Sequence, residues 1–475
     1  MNIKKILLFA VGPIGTAILG FISLPIITWY FPQEDIGKIS LLPVVISLST
    51  LVFSLGLDQS YVREYHESDN KYLLFKESFY PGFILLIIFF TFTIFFDDKI
   101  LAKFVFDENS HYYSYLLIIS ILSSFSSRFL SLILRMDEKG GLYSLSQLIP
   151  KVVFLIFILG CFLFNVKNEF ILLVVAYLIS HVSILLLLLF FNRKYLYKTF
   201  NLKIKIHNII EYLKFGLPLV LGGAAYWGLT AIDKVFIRYY SSLDELGLYS
   251  VSVSFAGAAI ILQSIFSTIW APTVYKWAAE NKNMDQIDRI RNYILLLILF
   301  IFCLTGLFSW VVKYILPLEY AKAQFIVISC LGFPLLYTLS ETTVIGIGIT
   351  KKSKYSMLVS IIAFGVNLLG NYFFIPIFGA SGAAVSTCFS FYIFFILRTE
   401  FSVYLWRSFA RSKMYFSITW VVILSIYCTL YATGDKYIYA WLMTSLGVIV
   451  LFKDDIFQLV MLVKDRIKSG DSSYN

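Results

Sequence analysis

Charged residues are scarce in this chain of 475 residues: Asp, Glu, Lys and Arg make up only 14% of it, whereas 59% is hydrophobic. A soluble protein of this length must expose much of its surface to water, and so apolar a composition excludes that class. No loop between the apolar segments is longer than roughly two dozen residues, which also excludes a separate soluble domain. We therefore predict a protein that is solvated mainly by lipid.

Cysteine is also sparse. The five cysteines lie far apart within apolar segments, at Cys161, Cys303, Cys330, Cys388 and Cys428. Their spacing fits neither a disulfide framework nor a zinc site. We expect them to be apolar packing residues, and we expect no metal or other cofactor.

The apolar residues form long runs. Residues 6–30, 78–96 and 293–312 contain no charge at all. A helix of about 20 residues spans the roughly 30 Å hydrocarbon core of a membrane. The first run has no small-residue cleavage site and is followed by many others, so we interpret it as a span and not as a signal peptide. About fourteen such segments predict an all-α polytopic membrane protein.

Lys and Arg residues are distributed unequally between alternate loops, which lie on opposite sides of the membrane. One side, here called the basic side, comprises both termini and the loops at 63–76, 135–139, 193–214, 276–291, 351–354 and 407–413. It carries 27 of the 39 Lys and Arg residues, against eight on the opposite side and four within spans. Positive loops stay in the cytoplasm, so both termini are predicted to be cytoplasmic. The net charge of +10 therefore reflects topology, and we expect no nucleic-acid partner.

The sequence repeats at an offset of about 210 residues: D-I-G-K-I-S at 35–40 returns as E-L-G-L-Y-S at 245–250. Such an offset predicts two parallel six-helix repeats followed by two extra C-terminal helices. The predicted parts are 1–191 (first half), 192–214 (cytoplasmic interfacial linker), 215–403 (second half) and 404–475 (last two helices and tail).

The first span of each half is rich in glycine and proline. The residues are Gly12, Pro13, Gly15, Gly20 and Pro25 in the first half, and Gly216, Pro218, Gly222, Gly223 and Gly228 in the second. Helices interrupted at matched positions indicate a transporter's binding site. Close packing of helices through small residues is the alternative.

Four spans carry polar residues at helical spacing. The stripes are Ser40, Pro43, Ser47, Thr50, Ser54 and Asp58; Ser120, Ser124, Arg128, Ser131 and Arg135, with Ser127 beside them; Gly222, Tyr226, Thr230 and Asp233; and Ser250, Ser254, Gly257, Ser264 and Thr268. Polar groups avoid lipid, so these faces are predicted to line a water-filled cavity. Hydrogen bonding between helices would explain any single stripe.

Several charges lie at membrane depth, where they usually signify function or pairing. Arg128, Lys151 and Lys234, with Arg135 near the helix end, are candidates for binding an anionic headgroup. Tyr226 offers an aromatic face for a sugar ring. A structural salt bridge is the alternative for Arg128, and snorkelling to an interface is the alternative for the two lysines.

The acids at depth, Asp58, Asp233 and Glu341, are candidates for coupling transport to protons or sodium. For Asp233, a surface charge cluster with Lys234 or Arg238 is the alternative. His181 stands alone on an apolar helix, and we expect it to be a core histidine with its hydrogen bonds satisfied.

Local motifs resemble those of bacterial polysaccharide flippases of the O-antigen type. They are F-G-L-P-L at 215–219, D-K at 233–234, L-G-L-Y-S at 246–250, N-L-L-G-N-Y-F-F-I-P at 367–376 and G-A-S-G-A-A at 379–384. The plan of two six-helix halves plus two helices extends the resemblance over essentially the whole chain. These motifs are turn and packing signatures and are only moderately specific.

The resemblance implies alternating access in a bacterial cytoplasmic (inner) membrane. The substrate would be undecaprenyl-diphosphate-oligosaccharide, with its headgroup in a central cavity and its tail in lipid along the last two spans. The partners implied are membrane lipids and the polymerase and chain-length proteins of the same pathway.

Other classes fit less well. Multidrug exporters of the same superfamily typically have twelve spans and an acid in the first, and the arginine-rich first-span motif of lipid II flippases is missing here. A glycosyltransferase or polymerase would need acidic or basic catalytic residues outside. The pair Glu34-Asp35 recurs as Asp244-Glu245 and so indicates a repeated turn. A structural scaffold would not need charges at depth. We therefore predict a transporter and not an enzyme.

Overall fold

The computed structural model describes residues 3–280, 284–458 and 461. These residues form helices joined by short loops, and no strand occurs among them. By contacts they divide into two compact parts, residues 1–261 and 262–475.

The helices of the first part begin at the N-terminus, and the last of them continues beyond residue 261. They are α1 Ile3–Tyr30, α2 Gln33–Phe53, α3 Leu57–Glu64, α4 Lys71–Phe96, α5 Ile100–Phe106, α6 His111–Met136, α7 Gly140–Leu163, α8 Phe170–Phe191, α9 Arg193–Phe200, α10 Ile206–Tyr240 and α11 Leu243–Ala279. α1 packs on α7, while α8 packs on both α6 and α7.

The second part is also helical, with short 3₁₀ turns at Ser309–Val311 and Leu318–Tyr320. Its helices are α12 Met284–Phe308, α13 Val312–Ile315, α14 Ala323–Cys330, α15 Gly332–Thr343, α16 Ile345–Ile349, α17 Lys354–Phe378, α18 Ala380–Leu405, α19 Ser412–Tyr431 and α20 Tyr437–Leu451. α18 lies at its centre, packed against α14, α15, α17 and α19.

Thirteen helical segments among the described residues are long and apolar enough to cross a membrane, and the shorter apolar helix α20 follows them. The prediction of an all-α polytopic membrane protein with about fourteen spans is confirmed. The boundaries predicted for the two halves, the linker and the C-terminal part stay predictions.

The prediction of interrupted helices is wrong. α1 runs unbroken through Pro13 and Pro25, and α10 through Pro218. Small residues along them allow close packing instead: a Cβ added at Gly12 would lie 2.7 Å from the side chain of Gln147, and one at Gly216 would lie 2.7 Å from the backbone of Gly56. A proline inside a membrane helix frees few backbone groups, and neighbouring helices can satisfy them, so it need not end the helix.

The segment predicted as one interfacial linker is divided in the structure. Only α9 is a separate helix, since residues from Ile206 onward belong to α10. Glu77 of α4 is fully buried and accepts hydrogen bonds from the backbone N–H of Lys205 (2.8 Å) and from the side-chain amide of Asn208 (3.0 Å). A carboxylate at this position complements the positive end of a helix, so Glu77 fixes the start of α10.

The repeated motif packs against itself. A Cβ added at Gly37 in α2 would lie 2.0 Å from the carbonyl oxygen of Leu243, and one added at Gly247 in α11 would lie 2.3 Å from the carbonyl oxygen of Gln33. The two contacts are equivalent under the offset of the repeat. Only glycine lets the two helix starts approach this closely.

The motif at residues 367–384 forms the α17–α18 pair. The buried Asn367 donates a hydrogen bond to the Thr387 hydroxyl (3.1 Å) and accepts one from Asn371 (3.1 Å). Gly379, with φ +55°, forms the turn between the helices. The motif is thus a packing signature, as its composition indicated.

Candidate functional site

A cavity of about 730 Å³ lies within the first part of the chain. It is bounded by α2, α3, α6, α7, α8 and α10. Its polar lining includes Ser47, Thr50, Ser54, Asp58, Gln59, Ser124, Ser127, Arg128, Ser131, Gln147 and His181. This first cavity can accommodate a solvated polar group at membrane depth.

An ion pair stands on the wall of the first cavity. Arg128 Nη2 lies 3.1 Å from Asp58 Oδ2, and Gln59 Nε2 donates to the same oxygen at 3.1 Å. The Asp58 side chain is 10% exposed and the Arg128 side chain 42%. A guanidinium has five N–H donors, so Arg128 keeps donors for a ligand while it compensates Asp58.

The short helix α3 positions Asp58. It follows Gly56, whose φ of +73° allows the sharp bend after α2. At its other end, Tyr65 donates a hydrogen bond to Asp137 (2.5 Å), which also accepts one from Lys139 (2.8 Å). Burial alone would raise the pKa of Asp137, but these hydrogen bonds outweigh it and lower the pKa. Asp137 is therefore a charged anchor at neutral pH.

A second cavity of about 680 Å³ lies in the same part of the chain, and Lys151 and Lys234 both line it. Lys234 Nζ donates to the Ser40 carbonyl oxygen at 3.3 Å, and its charge interacts with those of Asp233 and Lys151. No carboxylate occurs among the described lining residues, although the charge of the neighbouring Asp233 offsets part of that of Lys234. Two ammonium groups on the wall of one cavity favour an anion there.

The two cavities share part of their walls. Ser146, Gln147 and Pro150 of α7 line both of them. All six residues of the stripe predicted for the second span, which the structure divides between α2, Ser54 and α3, line one cavity or the other: Ser40 and Pro43 the second, and Ser47, Thr50, Ser54 and Asp58 the first. The two cavities are thus adjacent along α2 and share a wall on α7, and we refer to them together as the shared polar region.

The other three predicted stripes line the two cavities only in part. Ser124, Ser127, Arg128 and Ser131 of α6 line the first cavity, and Ser250, Ser254 and Gly257 of α11 line the second. Ser120 and Ser264 are not among these lining residues, and the side chain of Thr268 lies outside the description. None of the four α10 stripe residues lines either cavity, because α10 presents Leu219, Gly223 and Lys234 there instead.

Other predicted site residues lie elsewhere. Arg135 is exposed at the end of α6, and Tyr226 is 37% exposed on α10. Asp233 is buried and accepts a hydrogen bond from the Tyr249 hydroxyl (2.5 Å). None of the three lines the two cavities, and their predicted roles stay predictions.

Glu341 belongs to the second part of the chain. It lies 2.6 Å from Arg398 Nη1, with both side chains largely buried. The Arg398 guanidinium also lies over the rings of Tyr337 and Phe394. Glu341 is therefore compensated within its own part, and its predicted coupling role stays a prediction.

His181 was predicted to lie in the core, but in the structure it lies on the wall of the first cavity. Its Nδ1 lies 3.0 Å from the Ser124 hydroxyl, which agrees with a satisfied histidine, but the ring lines the first cavity together with Arg128. An isolated histidine in an apolar helix gives no signal of what it faces. The polar stripe on α6, which α8 contacts, was the available clue.

The sequence of the chain is similar to one known protein family. A family model described as "Polysaccharide biosynthesis protein" matches residues 3–277. No curated protein matches the chain.

Solved structures share the fold. The chain is similar to a structure described as lipid II flippase MurJ in an inward closed conformation, with a TM-score of 0.70 and 16% identity, over 96% of this chain and 100% of that one. It is also similar to an inward-facing multidrug resistance MATE family transporter of the MOP superfamily, with a TM-score of 0.56 and 13% identity, over 81% and 93%. An outward-facing structure of such a transporter has a TM-score of 0.51 at 15% identity, over 84% and 94%.

Proposed function

Because the chain belongs to the polysaccharide biosynthesis protein family, we propose that it flips an undecaprenyl-diphosphate-linked oligosaccharide across the bacterial cytoplasmic membrane. The headgroup moves from the cytoplasmic to the outer leaflet by alternating access, and the termini lie in the cytoplasm. No bond is made or broken, so the protein is a transporter and not an enzyme. Polymerase and chain-length proteins of the same pathway would take the delivered unit.

The pair of lysines in the second cavity carries this proposal. Lys151 and Lys234 come from different helices and line one cavity in which no described residue is acidic. A diphosphate that links a lipid to a sugar carries two negative charges, which two ammonium groups can compensate. Charge-assisted hydrogen bonds of this kind are stronger than neutral ones, especially away from bulk water.

The position of Arg128 suggests the order in which the headgroup meets the cationic residues. It lies in α6 toward the basic side, whereas Lys234 lies further along the shared polar region. We propose that the headgroup meets Arg128 first, passes the shared wall of Ser146 and Gln147, and then reaches the lysine pair. Arg135 would attract the headgroup at entry, and Tyr226 would offer a stacking face to a sugar.

Coupling to protons or sodium is part of the proposal. Asp58 is the candidate acid with the best support, because it lines the first cavity beside Arg128. Asp233 and Glu341 would act through their partners Tyr249 and Arg398.

Two alternatives belong to the same superfamily. An exporter of cationic drugs would need a cavity with an uncompensated acid, and the excess of cations in these two cavities disfavours it. A lipid II flippase would use the same diphosphate chemistry, so the identity of the sugar decides between it and an oligosaccharide flippase.

Proteoliposomes test the proposal. The transfer of a labelled undecaprenyl-diphosphate-oligosaccharide would be measured for wild type, Lys151→Ala, Lys234→Ala and the control Lys167→Ala, whose side chain is 83% exposed. Loss of one charged contact should slow transfer by about 10- to 100-fold, while the control stays at the wild-type rate.

Lipid II and a cationic dye would be offered in parallel. Transfer of lipid II in place of the oligosaccharide would make the protein a lipid II flippase. Dye transport that is insensitive to the lysine variants would place it among drug exporters.

A further inference from the structure

The first cavity contains a titratable group that the proposed function leaves unused. His181 of α8 lines it, and Ser124 of α6 lies 3.0 Å from its Nδ1. No hydrogen bond to Nε2 is found within the described part of the chain. A neutral imidazole carries one N–H, and its other ring nitrogen can accept a second proton. Histidine is the side chain whose ordinary titration falls between about pH 5 and pH 8.

Charged and titratable groups on several neighbouring helices line the first cavity with His181 or interact with its ring. The cations are Arg128 on α6 and Lys151 on α7, the acid is Asp58 on α3, and the phenols are Tyr143 on α7 and Tyr177 on α8 itself. α2 contributes the hydroxyls of Ser47 and Thr50. Asp58 is engaged by Arg128, so Lys151 is left as a cation without an acid that opposes it in this set.

This arrangement makes the charge of His181 depend on what occupies the cavity. When the cavity is empty, burial of the ring and the charge of Lys151 both oppose a positive imidazole. A bound anion offsets them and stabilises the imidazolium. By linkage, a proton on His181 then strengthens binding of the anion to the same extent.

We propose that His181 takes up a proton when the diphosphate headgroup occupies the first cavity, so that proton binding and headgroup binding favour each other. This inference rests on the proposed function and adds a specific proton-binding residue to it. The imidazolium would supply a second cation beside Arg128 in the first cavity, with Lys151 on the wall of the adjacent cavity.

The test is the pH dependence of binding to purified wild-type protein. The probe is a soluble diphosphate with a sugar on one phosphate and a short prenyl chain on the other. Both phosphates are esterified, so its two charges stay constant from about pH 6 to pH 8, unlike a terminal phosphate with a pKa near 6. Calorimetry in buffers of different ionisation enthalpy counts the protons that are taken up on binding.

The wild-type dissociation constant should fall by about threefold to tenfold for each unit that the pH is lowered, with uptake of up to about one proton. His181→Asn keeps a polar group that can contact Ser124 but cannot become charged. For this variant the dependence should shrink to less than about twofold per unit, with no net proton uptake.

His207 provides a matched control. Its side chain is 83% exposed and lies 3.3 Å from Glu211 in α10. His207→Asn should keep the wild-type pH dependence. If His181→Asn keeps it too, the proton is bound elsewhere and the inference is wrong.

The outcomes also separate the two proposals. Wild-type binding that is tight but independent of pH would overturn the role of His181 and leave the diphosphate site intact. Absence of wild-type binding at every pH would contradict the diphosphate site itself, and the role of His181 would fail with it.

Discussion

Arg128 illustrates how a charge at membrane depth can be both compensated and available. Asp58 neutralises it at 3.1 Å, yet 42% of the Arg128 side chain stays exposed. An isolated charge at this depth costs at least about 2.5 kcal/mol on insertion scales, and the ion pair offsets part of that penalty. The guanidinium can then turn to a headgroup without leaving the carboxylate, since its donors form a planar fork.

Substitution of Arg128 tests this dual contact. Arg128→Ala removes the fork and leaves Asp58 uncompensated, and we expect transfer of the labelled oligosaccharide in proteoliposomes to fall by about 10- to 100-fold. Arg128→Lys keeps the charge but not the two-pronged geometry and should give an intermediate rate.

Arg193→Ala is the matched control for Arg128, because Arg193 is exposed at the start of α9. It should transfer at the wild-type rate. Equal rates for Arg128→Ala and wild type would show that Arg128 has only a structural role or none.

At the scale of elements, the contact between the starts of α2 and α11 stands out. Gly37 and Gly247 hold equivalent places in the repeated motif, and each faces a backbone carbonyl of the other helix. Lys38 follows directly and pairs with Glu34 (2.9 Å) and Glu108 (2.8 Å). The glycines thus allow the approach, and the adjoining ion pairs reinforce this end of α2.

Gly37→Ala should weaken this contact, because the added methyl group would overlap the Leu243 carbonyl oxygen at 2.0 Å. Overpacking of this kind typically costs about 1–3 kcal/mol, which changes a conformational population about fivefold or more. The measurement is the maleimide reactivity of Ser40→Cys, a buried position, in detergent. The reaction should become faster in the Gly37→Ala background.

Gly160→Ala is the control for the glycine experiment, since nothing lies within 4 Å of a Cβ added there. The five native cysteines are buried and should contribute little signal. An unchanged rate in both backgrounds would mean that the contact does not limit access to Ser40.

For the whole molecule, the unequal distribution of Lys and Arg between the two sides of the membrane is the strongest evidence for its orientation. The basic side carries 27 of these residues against eight on the opposite side. Loops rich in Lys and Arg are retained in the cytoplasm during insertion, so the basic side should be cytoplasmic. The structure agrees that this is a multi-pass membrane protein.

Orientation can be measured with single cysteines in two exposed loops. Lys139→Cys lies on the basic side and Lys167→Cys on the opposite side, with 51% and 83% of the native side chains exposed. In intact cells made permeable only at the outer membrane, an impermeant maleimide should label Lys167→Cys alone. Lys139→Cys should react after the inner membrane is opened, and the reverse pattern would invert the topology.

The sequence by itself determined the class, the helices and much of one cavity wall. In lipid, backbone polar groups must be hydrogen-bonded within the protein, and the side chains that face lipid must be apolar. Spans and polar stripes can therefore be recognised from the helical spacing of residues in the local sequence. This is why the α2 stripe was predicted correctly and why Arg128, Lys151 and Lys234 stood out. The family was also recognisable, and the family match supports it.

Tertiary structure alone decided which groups meet. Asp58 and Arg128 are 70 residues apart, and Lys151 and Lys234 come from helices that do not follow each other in the chain. Hydropathy does not fix the rotation of a helix about its axis, so the sequence did not show that α10 presents Leu219, Gly223 and Lys234 to the cavities, or that His181 lines the first of them. The cap that Glu77 provides for α10 joins residues 128 positions apart, so no local pattern predicts it. A side chain's partner depends on the packing of several helices, and no local pattern records it.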